Sequence, residues 1–330
     1  MNEFDRIARF FKPLAKDFPG SLNLTDDAAI MQVPPEVDLV VTTDAMVEGI
    51  HFSADDTPQT IAQRLLRSNL SDLAAMGAQP ISYTLITALN KDVQDHWLES
   101  FSQTLQADQK KYNIHLMGGD TVRTEGPKHF SITAFGVVPR GQAMKRTLRK
   151  NLGPHDTYEI YVSGTIGDST LGLMAAQGKK LYGVNAEDIE FLKQRHYAPE
   201  PRLELGRTIR TFALACIDIS DGLAADIGHM AVASMGQAII EADKVPLSPA
   251  AKKALDAWPE HLEAILTGGE DYELAFVIDS RESSLLKIAA TKINVPLTKI
   301  GELKFGEGGI QILDANKRMM MLKQKGWQHF

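Results

Sequence analysis

Two rhythms of apolar and polar positions run through this chain of 330 residues and separate its strands from its helices. Short β-branched stretches predict strands at "VDLVVTTD" (37–44), "ISYTLITAL" (81–89), "NIHLMGGD" (113–120) and "HFSITAFGVV" (129–138). Between them, "TIAQRLLRSNLSDLAAMGA" (60–78) spaces Ile61, Leu65, Leu66, Leu70 and Leu73 as one face of a helix. A second helix is predicted over "DHWLESFSQTLQADQKKY" (95–112), and the N-terminal "MNEFDRIARFFKPLAKDF" is patterned as an amphipathic one. In the second half, "YEIYVSG" (158–164), "TFALACIDIS" (211–220), "ELAFVI" (273–278), "LTKIGELK" (297–304) and "GGIQIL" (308–313) read as strands, and "STLGLMAAQG" (169–178) as a helix. Such alternation favours a mixed α/β (α+β) architecture. The basic, turn-rich stretch 140–156 reads as a connector, which sets an N-terminal domain over 1–141 and a C-terminal domain over 152–330.

Composition narrows the function classes. An apolar content of 44% with 23% charged residues is that of a globular protein, and no stretch approaches the roughly 20 apolar residues of a membrane span. The N-terminus carries acids and lacks an apolar core segment, so it reads as no secretory signal, and the cytoplasm is the expected location. A single cysteine, Cys216, excludes an intrachain disulfide and a cysteine-based zinc site. The net charge of −7 argues against nucleic acid as a partner. Phosphate ligands stay open, because bound cations reverse the sign of a local field.

Carboxylates supply the candidate chemistry. Asp26 and Asp27 in "TDDAA", Asp44 in "VTTDAMVEG", Asp120 in "MGGDT", Asp218 and Asp221 in "IDISDG", and Glu270 in "TGGEDYEL" all sit at strand ends or in turns. Asp72 lies within the 60–78 helix, one turn after Asn69 and on the same face. A turn, a cap or a solvated face accounts for any one of them alone. If several converge, their mutual repulsion demands cations, and oxygen ligands select hard ions such as magnesium. Glycine turns at "GGDT" and "SGTIGDSTLG" leave backbone N–H groups able to approach anions. No phosphate-binding loop with its lysine is present, and no dinucleotide fingerprint, so phosphate bound through metal bridges is the reading that remains. His51, in "VEGIHF", is either a core-edge histidine or a ligand contact.

Taken together, "DDAA", "TTDAMVEGIHF", "NLSDLAAMGAQP", "GGDT", "SGTIGDS", "ISDGLAADIGH" and "GGEDYEL" follow the order seen in thiamine-monophosphate kinases, and the resemblance covers nearly the whole chain. That family shares a superfamily with aminoimidazole ribonucleotide synthetase, selenophosphate synthetase and a hydrogenase-maturation protein. The resemblance implies ATP-dependent phosphorylation of thiamine monophosphate to thiamine diphosphate by a homodimer whose N-terminal sheets pair into a barrel, with no membrane partner. It implies several Mg2+ ions held by Asp27, Thr42, Thr43, Asp44, Asp72, Asp120, Asp218 and Asp221. ATP contacts would come from Tyr112, Gly119, Asp120, Arg146 and Ser220, although "KRTLRK" around Arg146 departs from the family's Arg-Ser-Gly-Ala. His51, Glu270 and Trp327 match substrate-contacting positions. A tryptophan near the C-terminus can equally anchor the tail on the domain surface. The site is expected in the cleft between the domains, with no residue acting as catalytic base.

Overall fold

In the computed structural model, which describes residues 3–324 and 326, the strand rhythm of the first half closes into one four-stranded sheet. Strands β1 (Val37–Val47), β2 (Gln79–Leu89), β3 (His115–Arg123) and β4 (His129–Pro139) lie in the order β1-β4-β2-β3. Helices α1 (Glu3–Arg6) and α2 (Lys12–Ala15) bracket a π-helical turn, Ile7–Phe11, and α3 (Pro58–Ala75) and α4 (Asp95–Tyr112) follow β1 and β2. β4 is antiparallel to both its neighbours, whereas β2 and β3 are parallel and therefore need the crossover that α4 supplies. The five apolar positions of the α3 pattern are at most 1% exposed, as a core-facing stripe requires. From α4, Trp97 and Phe101 stack on Phe130 of β4, with ring centroids 5.8 and 5.1 Å away.

The second half builds its own sheet of six strands, in the order β10-β7-β9-β5-β8-β6. Its strands are β5 (Thr157–Ser163), β6 (Ala215–Asp218), β7 (Gly236–Glu241), β8 (Leu274–Ile278), β9 (Leu297–Phe305) and β10 (Gly309–Leu313). Its helices are α5 (Asp168–Ala176), α6 (Ala186–Tyr197), α7 (Leu203–Ile209), α8 (Leu223–Ala233), α9 (Pro249–Ala257), α10 (His261–Thr267) and α11 (Ser283–Ile293). Ile160, Val162, Ile217, Ile227, Val277 and Ile300 belong to one buried core here. The chain divides into a first compact unit, up to Leu73 and from Ala78 to Ala143, and a second, Ala74–Gly77 and Met144 onward. Among the described residues no helix is long and apolar enough to cross a membrane.

Two local departures from the apolar pattern have physical reasons. The ten-residue run 211–220 yields a strand of only four residues, because the β8 register covers Ala215–Asp218 alone. Phe212 and Ala213 instead donate to the Ile209 carbonyl and finish the turn after α7. The polar stretch 186–209 adds α6 and α7 to the elements named from the apolar pattern. α6 starts on a reciprocal capping box, in which Asn185 accepts from the Asp188 amide and Asp188 from that of Asn185.

A buried ion pair ties α3 to α4. Arg67 donates through Nε and Nη2 to both oxygens of Asp108 at 2.8 Å, and the side chains are 8% and 5% exposed. Removing one member of such a pair strands a charge in the core, whereas replacing both by apolar groups of similar volume is close to neutral. Arg67→Ala is therefore expected to lower unfolding free energy by about 3–5 kcal/mol, and Arg67→Met with Asp108→Leu to restore most of it. Urea unfolding of the two variants checks this; equal losses in both would contradict it.

Candidate functional site

The first unit holds a cavity of about 330 Å³ whose walls include Asp26, Asp27, Gly119 and Asp120. Two segments meet there. The loop carrying Asp26 and Asp27 follows three consecutive residues, Leu22, Asn23 and Leu24, in the left-handed region, with φ of 51°, 58° and 56°. Such conformations cost on the order of 1–3 kcal/mol each in non-glycine residues and persist where surrounding contacts enforce them. Here the loop is closed at its base by the Ile30 amide on the Gly20 carbonyl at 2.8 Å. The opposite wall is β3, where Gly119 pairs with Leu85 of β2 so closely that a Cβ would sit 2.0 Å from the Leu85 carbonyl oxygen. Only glycine fits there, and Gly119 is part of the cavity wall.

β1 and α3 bring a second set together. Thr42 Oγ1 donates to Asp72 Oδ2 at 2.5 Å, and Asp44, two residues further along β1, shares the Thr42 face. Thr43 points to the opposite face, where its hydroxyl donates to the Ile132 carbonyl and accepts from Thr133. His51 closes the turn after β1: its Nδ1 accepts from the Val47 amide at 3.1 Å, and Arg64 donates to its carbonyl. With Nδ1 accepting, the neutral ring carries its proton on Nε2. Tyr112 is buried beneath the Arg67 guanidinium, 5.6 Å from its ring centroid, and lies outside the cavity lining.

In the second unit β6 delivers Asp218, 3% exposed, into the turn that carries Ser220 and Asp221. The "GGEDYEL" segment runs beside this turn. The amides of Glu270 and Tyr272 donate to the carbonyls of Ser220 and Ile219 at 2.8 Å, and Ile219 donates back to Glu273. Gly269 permits the approach, since a Cβ there would meet the Ser220 oxygen at 2.1 Å. Glu270 and Tyr272 both hold positive φ, 67° and 52°, on either side of the buried Asp271. Glu270 Oε2 lies 3.3 Å from His196 Nδ1, which also meets the Ser169 hydroxyl at 3.2 Å. Arg146 is exposed, and its carbonyl accepts from Ser234. Trp327 lies outside the described residues.

Three buried acids around this segment were not singled out by the sequence. Asp226 accepts through Oδ2 from the amides of Ser220, Asp221 and Gly222 at 3.0–3.1 Å. Burial, reinforced by the Asp221 charge, pushes its carboxyl up to about 7. Asp271 accepts from the amides of Gly167 and Ser169 at the start of α5, and burial pushes it up to about 8. Glu273 goes the other way: burial raises it, but hydrogen bonding and charge from Arg202, with the charge of Arg195, outweigh burial and hold it below the usual range. Neither Asp226 nor Glu273 carries a sequence signal for its role, and the Glu273 partners lie 71 and 78 residues away. Burial, with the Asp218 charge adding to it, also raises the Cys216 thiol, so the lone cysteine is an inert core residue.

Among the described residues no three histidine, cysteine, aspartate or glutamate side chains stand together as a metal-binding group. The donors that do meet are all oxygens: Thr42 with Asp72, and Asp26, Asp27 and Asp120 around the cavity. Such a donor set fits a hard divalent cation and excludes a soft one.

Comparison with known proteins decides the family. Residues 25–138 match the model of the AIR synthase related protein, N-terminal domain. A thiamine-monophosphate kinase of Caulobacter vibrioides is 40% identical over 93% of this chain and 85% of its own length. The chain belongs to the thiamine-monophosphate kinase family. A crystal structure of the family from Stenotrophomonas maltophilia superposes with a TM-score of 0.79 at 38% identity, covering 88% of this chain and 89% of that one. The ThiL protein AaThiL, solved in complex with AMPPCP and TMP, superposes with a TM-score of 0.76 at 29% identity, over 92% and 91% of the two chains. The mixed α/β fold expected from the motifs is thus the family's own.

The raised carboxyl of Asp271 makes a testable contribution to stability. Its folded value, about 8, lies above the ordinary 3.8, so the folded state holds this proton more tightly than the unfolded one. The stability it provides is complete below pH 3.8 and is lost as pH rises through about 8. Asp271→Asn is expected to flatten the fall in urea midpoint across that window relative to wild type. Identical slopes in the two proteins would contradict the assignment.

Proposed function

We propose that this chain transfers the γ-phosphoryl group of ATP to the phosphate of thiamine monophosphate, giving thiamine diphosphate and ADP, in the cytoplasm. The observation that carries the reading is the first-unit cavity, where Asp26, Asp27 and Asp120 line one space with Gly118 and Gly119 of β3. A triphosphate placed against three carboxylates is repelled unless cations intervene, and those oxygens suit Mg2+. In this reading Asp27, Thr42, Asp44, Asp72, Asp120, Asp218 and Asp221 hold Mg2+, with Thr43 able to offer only its backbone on that face. When bound, such ions neutralise the charge of the β- and γ-phosphates.

The chain's own residues do the positioning. Gly119 and Asp120 are assigned to the nucleotide on β3, and Ser220 and Arg146 are assigned to the nucleotide as well. Tyr112 would act by supporting the β3 edge, since its ring is committed beneath Arg67. His51, Glu270 and Trp327 are assigned to the acceptor, with the Glu270 carboxylate beside the cationic thiazolium. The reaction is an in-line displacement: an oxygen of the acceptor phosphate bonds to the γ-phosphorus as the bond to the ADP oxygen breaks. A phosphate monoester has its second pKa near 6, so the nucleophile is already ionised at neutral pH and no residue has to remove a proton.

The outer face of the first sheet supports a homodimer. Leu39 and Val41 of β1, Ile86 of β2 and Val122 of β3 are 39–53% exposed, and the strand register sets them on one face. A second copy pairing there would remove this apolar surface from water.

ADP release tests the function. Thiamine monophosphate with ATP and Mg2+ is expected to give ADP and thiamine diphosphate in equal amounts, and unphosphorylated thiamine with ATP and Mg2+ none; no release with the monophosphate would overturn the reading. Asp72→Asn, nearly isosteric, is expected to keep the fold and lose at least about tenfold in kcat by removing one charge from the shared shell. Unchanged turnover and magnesium dependence would return Asp72 to a helix-surface role.

A further inference from the structure

The turn after β6 has the form of an anion receptor that is already filled. Three consecutive amides, those of Ser220, Asp221 and Gly222, converge on one oxygen of Asp226 at 3.0, 3.0 and 3.1 Å. Successive N–H groups that point into one concavity form a nest, which elsewhere binds phosphate. Asp226 sits four residues beyond Gly222 on α8 and is 2% exposed, so no solute competes for that oxygen. From the other side the turn is gripped by the Glu270 amide on the Ser220 carbonyl, at the place where Gly269 lets the two backbones touch. The turn is therefore fixed on both sides, and the polar side chains it carries are the Ser220 hydroxyl and the Asp221 carboxylate.

We infer that Asp226 is a positioning residue that plugs the Ser220–Gly222 nest from within, so that this turn meets a nucleotide with a hydroxyl and a carboxylate rather than with N–H groups. The inference rests on the reading of Ser220 and Asp221 given under Proposed function. It explains why a phosphate-using protein can have a glycine-containing turn at the start of a helix and still require cations there. The receptor that would take phosphate directly is occupied by a covalently attached rival, and what it leaves exposed repels phosphate and attracts a cation.

Two substitutions separate positioning from bulk structure. Asp226→Asn keeps a carbonyl oxygen of nearly the same shape, so slow hydrogen exchange at amides 220–222 of the metal-free protein, and the affinity for MgATP, should stay within about threefold of wild type. Asp226→Ala removes the acceptor; exchange at those three amides should speed up by about tenfold or more, while amides in the rest of α8 change little. In the same variant, calorimetric affinity for ATP in EDTA should rise by several-fold as the nest opens, while that for MgATP falls by about tenfold. A merely structural role would lower melting temperature without moving the two affinities in opposite directions, and that result would overturn the inference. Loss of MgATP affinity in Asp226→Asn with its exchange protection intact would overturn it too, because the carboxylate would then act by its charge. Absence of ADP release from the wild-type protein would instead remove the functional reading, leaving the exchange results to decide the plugged nest alone.

Discussion

Like charges brought to one place set the terms for everything else in this molecule. A carboxylate repels a polyphosphate, and the repulsion grows as water is removed. Yet Asp26, Asp27 and Asp120 surround the first-unit cavity, and Asp218 and Asp221 flank the turn that ends β6. Around each group the backbone is constrained at some cost. Residues 22–24 stay left-handed, Gly119 and Gly269 touch neighbouring carbonyls, and Glu270 and Tyr272 hold positive φ. Arrangements of this kind persist where the positions of the side chains matter more than the local energy.

The second unit shows how such positions are held without adding positive charge to the surface. Glu273 is fully buried, and Arg195, Arg202 and Ser163 share its two oxygens. That anchor fixes one end of the "GGEDYEL" segment, and Asp271 fixes the middle by accepting from the first amides of α5, where the helix dipole also favours it. Glu270 is thereby left at a defined place beside His196. Arginine is spent on a buried glutamate, and the carboxylates of the β6 turn keep their net negative field.

The helices and strands that carry the site were legible because their apolar rhythm is long and regular. The α3 stripe from Ile61 to Leu73 is the clearest case, and it fixed the face on which Asp72 lies. Strand alternation also sets the side chains of Thr42 and Thr43, both named as Mg2+ ligands by the resemblance, on opposite faces of β1. What stayed hidden depends on contacts distant in sequence. Nothing local in "EDYEL" marks Glu273 as the partner of two arginines on other elements, and nothing in "GLAAD" marks Asp226 as the acceptor for three amides. The short β6 was misread in length for a related reason: its ends are set by its neighbour β8, not by its own composition.

The central claim is that this acidic architecture takes up ATP only together with cations. Calorimetric titration of the full chain with ATP, in excess Mg2+ and again in EDTA, measures it directly. The account predicts affinity at least about a hundredfold weaker in EDTA, the effect expected when several kcal/mol of charge repulsion goes unscreened. Equal affinity in the two conditions would contradict it.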